Sequence, residues 1–400
     1  MTDPRRRDVS VRRTQAVPDP IRVERCLRLP EFGPRILFFS GGSALRETSR
    51  VLKHYTHNSI HLITPFDSGG SSAILREAFH ILGVGDLRNR LMALADESEL
   101  GSPEVSALFS HRLPREAPAD ALTGEFQALV AGEHPLVDAV PTSLRQIIRT
   151  HLRKFGQKMP PDFDLRGASV GNLILAGGYL VNQRDIDSVL YLFSKLVSVR
   201  GTVRPAAMDD VHLVAVHEGG QRTVGQHLMG KPESIDRGPI TSLELTTALE
   251  DGSRVEIDAD PVSLDLIDEA NLICFSIGSF FGSILANLLP RGIGQRLAAR
   301  DVPKLYIPNT GRDPEMAGHS LAGAVSRLLD LARRDAGEDT PTERLLNFVV
   351  VDSVAGDYDF ELDLDAVREL GVEVIDLPLV LEGGQELDPQ RLVELLVSLA

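Results

Sequence analysis

The 400-residue chain has no tryptophan, only two cysteines, and aromatic residues at 5% of its length. So few flat side chains argue against a stacking platform for single-stranded nucleic acid. A formal net charge of −15 argues against a broad polyanion-binding face, so nucleic acid is not an expected partner. Cys26 and Cys274 cannot build a disulfide framework and no CxxC pair occurs, which fits a reducing cytoplasm. Several catalytic signatures are also missing. GxGxxG, GxxxxGK[ST] and HExxH are all absent, and the eleven histidines show no paired metal-ligand spacing. A standard dinucleotide dehydrogenase, a P-loop enzyme and a zinc protease are therefore not expected.

Uncharged runs long enough for a membrane are nearly absent too. The 18 residues LICFSIGSFFGSILANLL (272–289) approach the lower limit for a spanning helix, but Gly278, Ser279, Gly282 and Ser283 interrupt them. Ile273 to Ile277 reads instead as a buried parallel strand, followed by a Gly/Ser turn and a helix, so no membrane is expected. The Arg-rich first thirty residues lack an apolar segment and are not a secretory signal; residues 1–33 are expected to be a mobile basic arm.

What the chain does contain is alternation. RILFFS (35–40), SIHLITPF, LICFSIG, KLYIPN, NFVVVD and VEVIDLPLV are apolar strand patterns, each next to a helical one. This predicts an α/β fold: one Rossmann-like, doubly wound, mostly parallel sheet over residues 34–400. A polar helical insertion is expected at about 95–165. A small antiparallel section is expected at about 201–258, at an edge of the main sheet.

Ligands of such sheets bind outside the carboxyl ends of the strands. Four strand-end loops there are rich in small and polar residues: SGGSA (40–44), FDSGGSS (66–72), IGSFFGS (277–283) and PNTGRD (308–313). Each can offer backbone amides to an anion, with Ser43, Ser71, Ser72 and Ser279 adding hydroxyls. In GDLRN (85–89), Asp86 can cap the following helix, and Arg88 is expected to meet a phosphate or carboxylate. Arg90 is left open between that role and pairing with Asp86 and Glu97. Asp67 can hold a divalent cation that bridges phosphates, or cap the helix after it.

In their order, GGSALRETSRVLKHYT, ITPFDSGGSSAILREAFHILGVGDLRNRLMALAD, GNLILAG and IGSFFGSILANLLPRGI resemble the CofD/YvcK superfamily. That superfamily holds phospholactate transferases of deazaflavin-cofactor biosynthesis and YvcK-type gluconeogenesis factors, and the motifs are more similar to the second branch. The resemblance implies a nucleotide-diphosphate or nucleotide-sugar ligand over the strand ends, with Mg²⁺ in the transferases and UDP-sugar binding in the YvcK branch. It carries ligand-binding roles onto Gly41, Gly42, Ser43, Ser68, Gly69, Gly70, Ser71, Ser72 and Arg76. The later motifs add Asp86, Arg88, Asn89, Asn172, Gly278, Ser279, Ser283 and Asn309. Asp67 becomes the catalytic and Mg²⁺-holding residue. The chain departs from the branch where Ser68 replaces a second acid and Ala73-Ile74 replaces a Gly-Arg pair. Two activities are therefore expected as rivals: transfer of a phospholactyl-type group from a nucleotide-linked donor to a hydroxyl, or nucleotide-sugar binding without turnover. A homodimer is allowed by either.

Overall fold

A computed structural model describes residues 14–98, 101–249 and 253–400. Among them are eleven strands: β1 (Ile36–Ser40), β2 (Ile60–Ile63), β3 (Thr202–Pro205), β4 (His212–His217), β5 (Arg222–Val224), β6 (Ile240–Thr246), β7 (Arg254–Val255), β8 (Leu272–Phe275), β9 (Lys304–Tyr306), β10 (Phe348–Val351) and β11 (Glu373–Asp376). Seven form an all-parallel sheet in the order β11-β10-β9-β8-β1-β2-β3. The chain steps outward from β1 in one direction through β3, then resumes at β8 on the other side. The strand order therefore reverses between β1 and β8, as expected of a doubly wound sheet.

Strand composition follows from burial on both faces. Ile36, Phe38, Leu272 and Cys274 point into one core, shared with Leu392 and Leu396 of the helix Pro389–Leu399. Their neighbours Leu37, Phe39, Ile273 and Phe275 point into the opposite core, with Val325 and Leu328 of the helix Leu321–Ala336. Each such buried Leu or Phe contributes about 1.5–3 kcal/mol of transfer free energy. A third core lies within the expected helical insertion. Its helices, Pro103–Ser110, Ala119–Ala131 and Thr142–Lys158, pack with Val170–Val181 and Ile186–Leu196, so the cap runs about thirty residues past the expected end.

Three expectations need correction. The small β section is not one edge of the main sheet: β3 is that edge, while β4 to β7 form a separate antiparallel sheet. Its apolar face, including Leu213, Ala215, Leu243 and Leu245, is buried in the second core, a better use of those side chains than an exposed edge. After β8, the expected helix is a π-helical turn, Phe280–Ile284, and a 3₁₀ turn, Leu285–Leu288. Of the expected arm, residues 1–13 lie outside the described residues, but Pro20–Arg28 form a helix, not a loose tail. Asp19 caps it, Cys26 is buried, and Arg22 Nη1 donates to the Ser398 carbonyl at 2.8 Å. No described helix is long and apolar enough to cross a membrane.

Candidate functional site

At the carboxyl ends of β1, β2 and β8, where the strand order reverses, loops enclose a cleft of about 150 Å³. It is lined by residues 41–45, Asp67, Asp86, Gln226, residues 277–279 and Ser283. Larger hollows exist, of about 300 and 570 Å³, but neither gathers the strand-end loops.

The first loop is built on close approach. A Cβ on Gly42 would overlap the Asp86 carboxylate, and one on Gly41 would overlap the Ser283 hydroxyl. Arg90, fully buried, braces the loop from beneath: its guanidinium donates to the Leu45 carbonyl (2.8 Å), the Gly41 carbonyl (3.1 Å) and Ser49 Oγ. That settles its open assignment as structural. Among the described residues, the amides of Ser43, Ala44 and Ser279 have no hydrogen-bond partner, so they remain available to an anion.

The second loop is knitted to the third. Asp67 Oδ1 accepts the Gly69 amide at 3.0 Å, and Ser72 Oγ accepts the Gly85 amide at 3.1 Å. Ser71 Oγ accepts Asn172 Nδ2 at 3.3 Å, while Asn172 Oδ1 accepts Arg88 Nε at 3.2 Å. Ser71, Ser72 and Asn172 thus position neighbours, and Arg88 is held by its Nε. Arg88 is 7% exposed and forms no ion pair within 4 Å among the described residues. Burial, Arg112 and Arg46 pull its pKa down to about 10, with Asp86 opposing. An anionic ligand would relieve that repulsion. Asn89 Nδ2 would lie 3.3 Å from a Cβ on Gly42, which places it beside the first loop. Gly70 opens the helix Gly70–Phe79 at φ +47°, in open space.

Four expectations fail here. Arg76 does not face the cleft; its guanidinium pairs with Asp210 at 2.9 Å and donates to the Phe66, Asp67 and Val211 carbonyls, so it holds the acidic loop from behind. Asp86 does not cap its helix, because Val84 is the cap residue and Asp86 lies in the first turn with its carboxylate towards Gly42. Asn309 is not among the residues that line the cleft: it locks Gly278, whose φ of +151° suits glycine alone. The amides after β8 are already taken, Phe280 by Asp313 Oδ2 (3.0 Å) and Gly282 by Glu315 Oε2 (2.6 Å). Gly278, Ser279 and Ser283 still line the cleft, but Ser279 alone of the three offers an unpartnered amide.

Two features had no local signal. First, Asp67 and Asp86 meet in space, and an added Cβ on Gly85 would lie 2.6 Å from Asp67 Oδ2. The chain therefore has two carboxylates in the cleft although Ser68 replaces the adjacent acid. Burial and then Asp67 push the Asp86 pKa up to about 7, against Arg90, the Gly42 amide and Arg88. Second, His227, brought in by a turn of the small sheet, places Nδ1 2.9 Å from Ser68 Oγ. Ser68, itself buried, is thereby engaged by His227 and does not line the cleft. Residues 159 positions apart leave no trace in local patterning. Asp67, alone or with Asp86, could hold a divalent cation, since Mg²⁺ commonly takes one or two carboxylates together with phosphate oxygens.

Residues 36–380 match the family model of 2-phospho-L-lactate transferase CofD. The chain belongs to the CofD family. This CofD-family chain is 29% identical over 376 residues to a gluconeogenesis factor of Bacillus subtilis, covering 92% of this chain and 98% of that one. It is 27% identical over 284 residues to a gluconeogenesis factor of Listeria monocytogenes, covering 70% and 67%. The fold matches a crystal structure of a UPF0052 family member from Bacillus halodurans with a TM-score of 0.66, at 23% identity, over 90% of this chain and 98% of that one.

Proposed function

We propose that the cleft binds a nucleotide-diphosphate-linked ligand and supports transfer of its outer phosphoryl-linked group to a hydroxyl acceptor, in the cytoplasm. One observation carries this reading: two carboxylates, Asp67 and Asp86, share a strand-end cleft with the unpartnered amides of Ser43, Ala44 and Ser279. Carboxylates and anion-seeking amides together suit a cation–phosphate ligand, whereas either alone would suit only half of it. Asp67 would hold Mg²⁺, which supplies charge neutralisation for the phosphates. The loop amides and Arg88 would grip the phosphate oxygens. In the transfer, the acceptor oxygen attacks the outer phosphorus and the bridging P–O bond breaks. The nucleoside monophosphate leaves with the bonding pair, and the hydroxyl proton passes to an Asp86 carboxylate oxygen.

A second reading, ligand binding without turnover, has its own support. The Bacillus subtilis relative, matched along nearly its whole length, is a gluconeogenesis factor, and Ser68 is engaged by His227. A thermal-shift series with GDP and UDP-sugars, with and without Mg²⁺, separates the two. Mg²⁺-dependent stabilisation by GDP, lost in Asp67→Ala, supports transfer. Stabilisation by a UDP-sugar that ignores metal overturns transfer and leaves binding, and no shift with any nucleotide overturns both.

A further inference from the structure

The helical cap brings together three side chains that the cleft does not use. The helix Pro103–Ser110 ends at His111, the helix Ala119–Ala131 carries Glu125, and His134 opens the short helix Pro135–Asp138. His111 Nε2 lies 2.8 Å from Glu125 Oε1, and His134 Nε2 lies 3.7 Å from the same oxygen. One ligand atom from each residue falls within 4.8 Å of the others. The imidazole centroids are 5.4 Å apart, with planes inclined by 42°, so neither ring stacks over the other's nitrogens.

The backbone holds each member. The His111 carbonyl accepts the Val170 amide at 3.0 Å, and the Ala128 carbonyl accepts the amides of Gly132, Glu133 and His134 at 3.0, 3.0 and 3.2 Å. Side-chain exposures of 27%, 25% and 16% leave one side open for a water. Two imidazoles and one carboxylate match a late first-row divalent cation, while Mg²⁺ and Ca²⁺ favour all-oxygen sets.

We propose that His111, Glu125 and His134 form a Zn²⁺ site, with water in the fourth position, that ties the outer end of the helical cap together. It is separate from the Asp67 cleft and does not depend on the function proposed there. One bond must be exchanged for it. His134 Nδ1 accepts the Leu136 amide at 3.2 Å, so in the metal-free chain the ring proton sits on Nε2. Ligation through Nε2 moves that proton to Nδ1 and frees the Leu136 amide. A single neutral cap is traded for a coordinate bond, and the trade leaves a signature.

The full chain, stripped with a chelator and titrated with Zn²⁺ against a chromophoric competitor, tests the site. We expect about one tightly held equivalent by metal analysis, a higher melting temperature with Zn²⁺ but not Mg²⁺, and faster hydrogen exchange at Leu136. His111→Ala and Glu125→Gln should lose that equivalent. His134→Asn should lose it too while keeping the metal-free melting temperature, because Asn can still cap the helix. No Zn²⁺ retained against the competitor would overturn the proposal, and so would an undiminished equivalent in His134→Asn or Glu125→Gln.

Discussion

Asn309 and Gly278 exchange two hydrogen bonds of 2.8 Å: the Gly278 amide donates to Oδ1, and Nδ2 donates to the Gly278 carbonyl. This side chain fastens the turn after β8 to the loop after β9, at the one wall of the cleft whose glycine carries a positive φ. Asn309→Ala leaves both backbone groups without their partner and should cost about 1–3 kcal/mol in urea unfolding. Asn309→Asp keeps the acceptor but loses the donor, and should fall between Ala and the native residue.

Glu315 gives the pH dependence. Burial first, then Asp313, raises its pKa to about 8, against the Gly282 and Phe281 amides that favour the ionised form. A carboxyl whose pKa is raised on folding stabilises fully below its unfolded pKa and loses that contribution as pH rises through the folded value. Glu315→Gln keeps an acceptor for Gly282 without the charge. Relative to the native chain it should gain stability between the ordinary carboxylate range and about pH 8, by up to about 1.4 kcal/mol per unit, then level off. Melts at pH 5, 7 and 9 check the sign; a constant difference would refute it.

Gly42→Ala places a methyl group into the Asp86 carboxylate. The first loop must then shift, and nucleotide-induced stabilisation should disappear while the seven-stranded sheet stays folded by circular dichroism. Adding Asp86→Gly should relieve the clash and restore the melting temperature, without restoring binding.

Two arginines from neighbouring motifs should behave oppositely. Arg76→Ala removes a buried guanidinium from the half-buried Asp210 and from three carbonyls, and should cost about 1–3 kcal/mol of stability. Arg88→Ala removes a buried cation that has no ion-pair partner within 4 Å among the described residues, so it should change stability less. Nucleotide-diphosphate affinity should fall by roughly 10- to 100-fold, read by calorimetry.

These contrasts mark how far the motifs could be read. Glycine and serine at the strand ends were legible because turns and close backbone approach select those residues wherever they occur. Arg76 and Arg88 look alike in the sequence, and only their neighbours separate them: Asp210 sits behind one, and Asn172, Arg46 and Arg112 surround the other. Asn309 was expected to bind the ligand, and its part as a latch on Gly278 was not legible. His227 was not legible at all, because its partner Ser68 lies on a different sheet's loop.

The near-continuous apolar runs of β1, β2, β8 and β10 determined the parallel sheet, since strands buried on both faces admit little else. The order of its loops determined the place of the cleft. What only the tertiary structure decided was which polar groups face each other. Ser68 in place of an acid suggests a site short of carboxylate, yet Asp86 arrives from the next helix to stand beside Asp67. Local propensity acts over a few residues, but charge and hydrogen bonding act through space, so the electrostatics of the cleft exist only once the chain has folded.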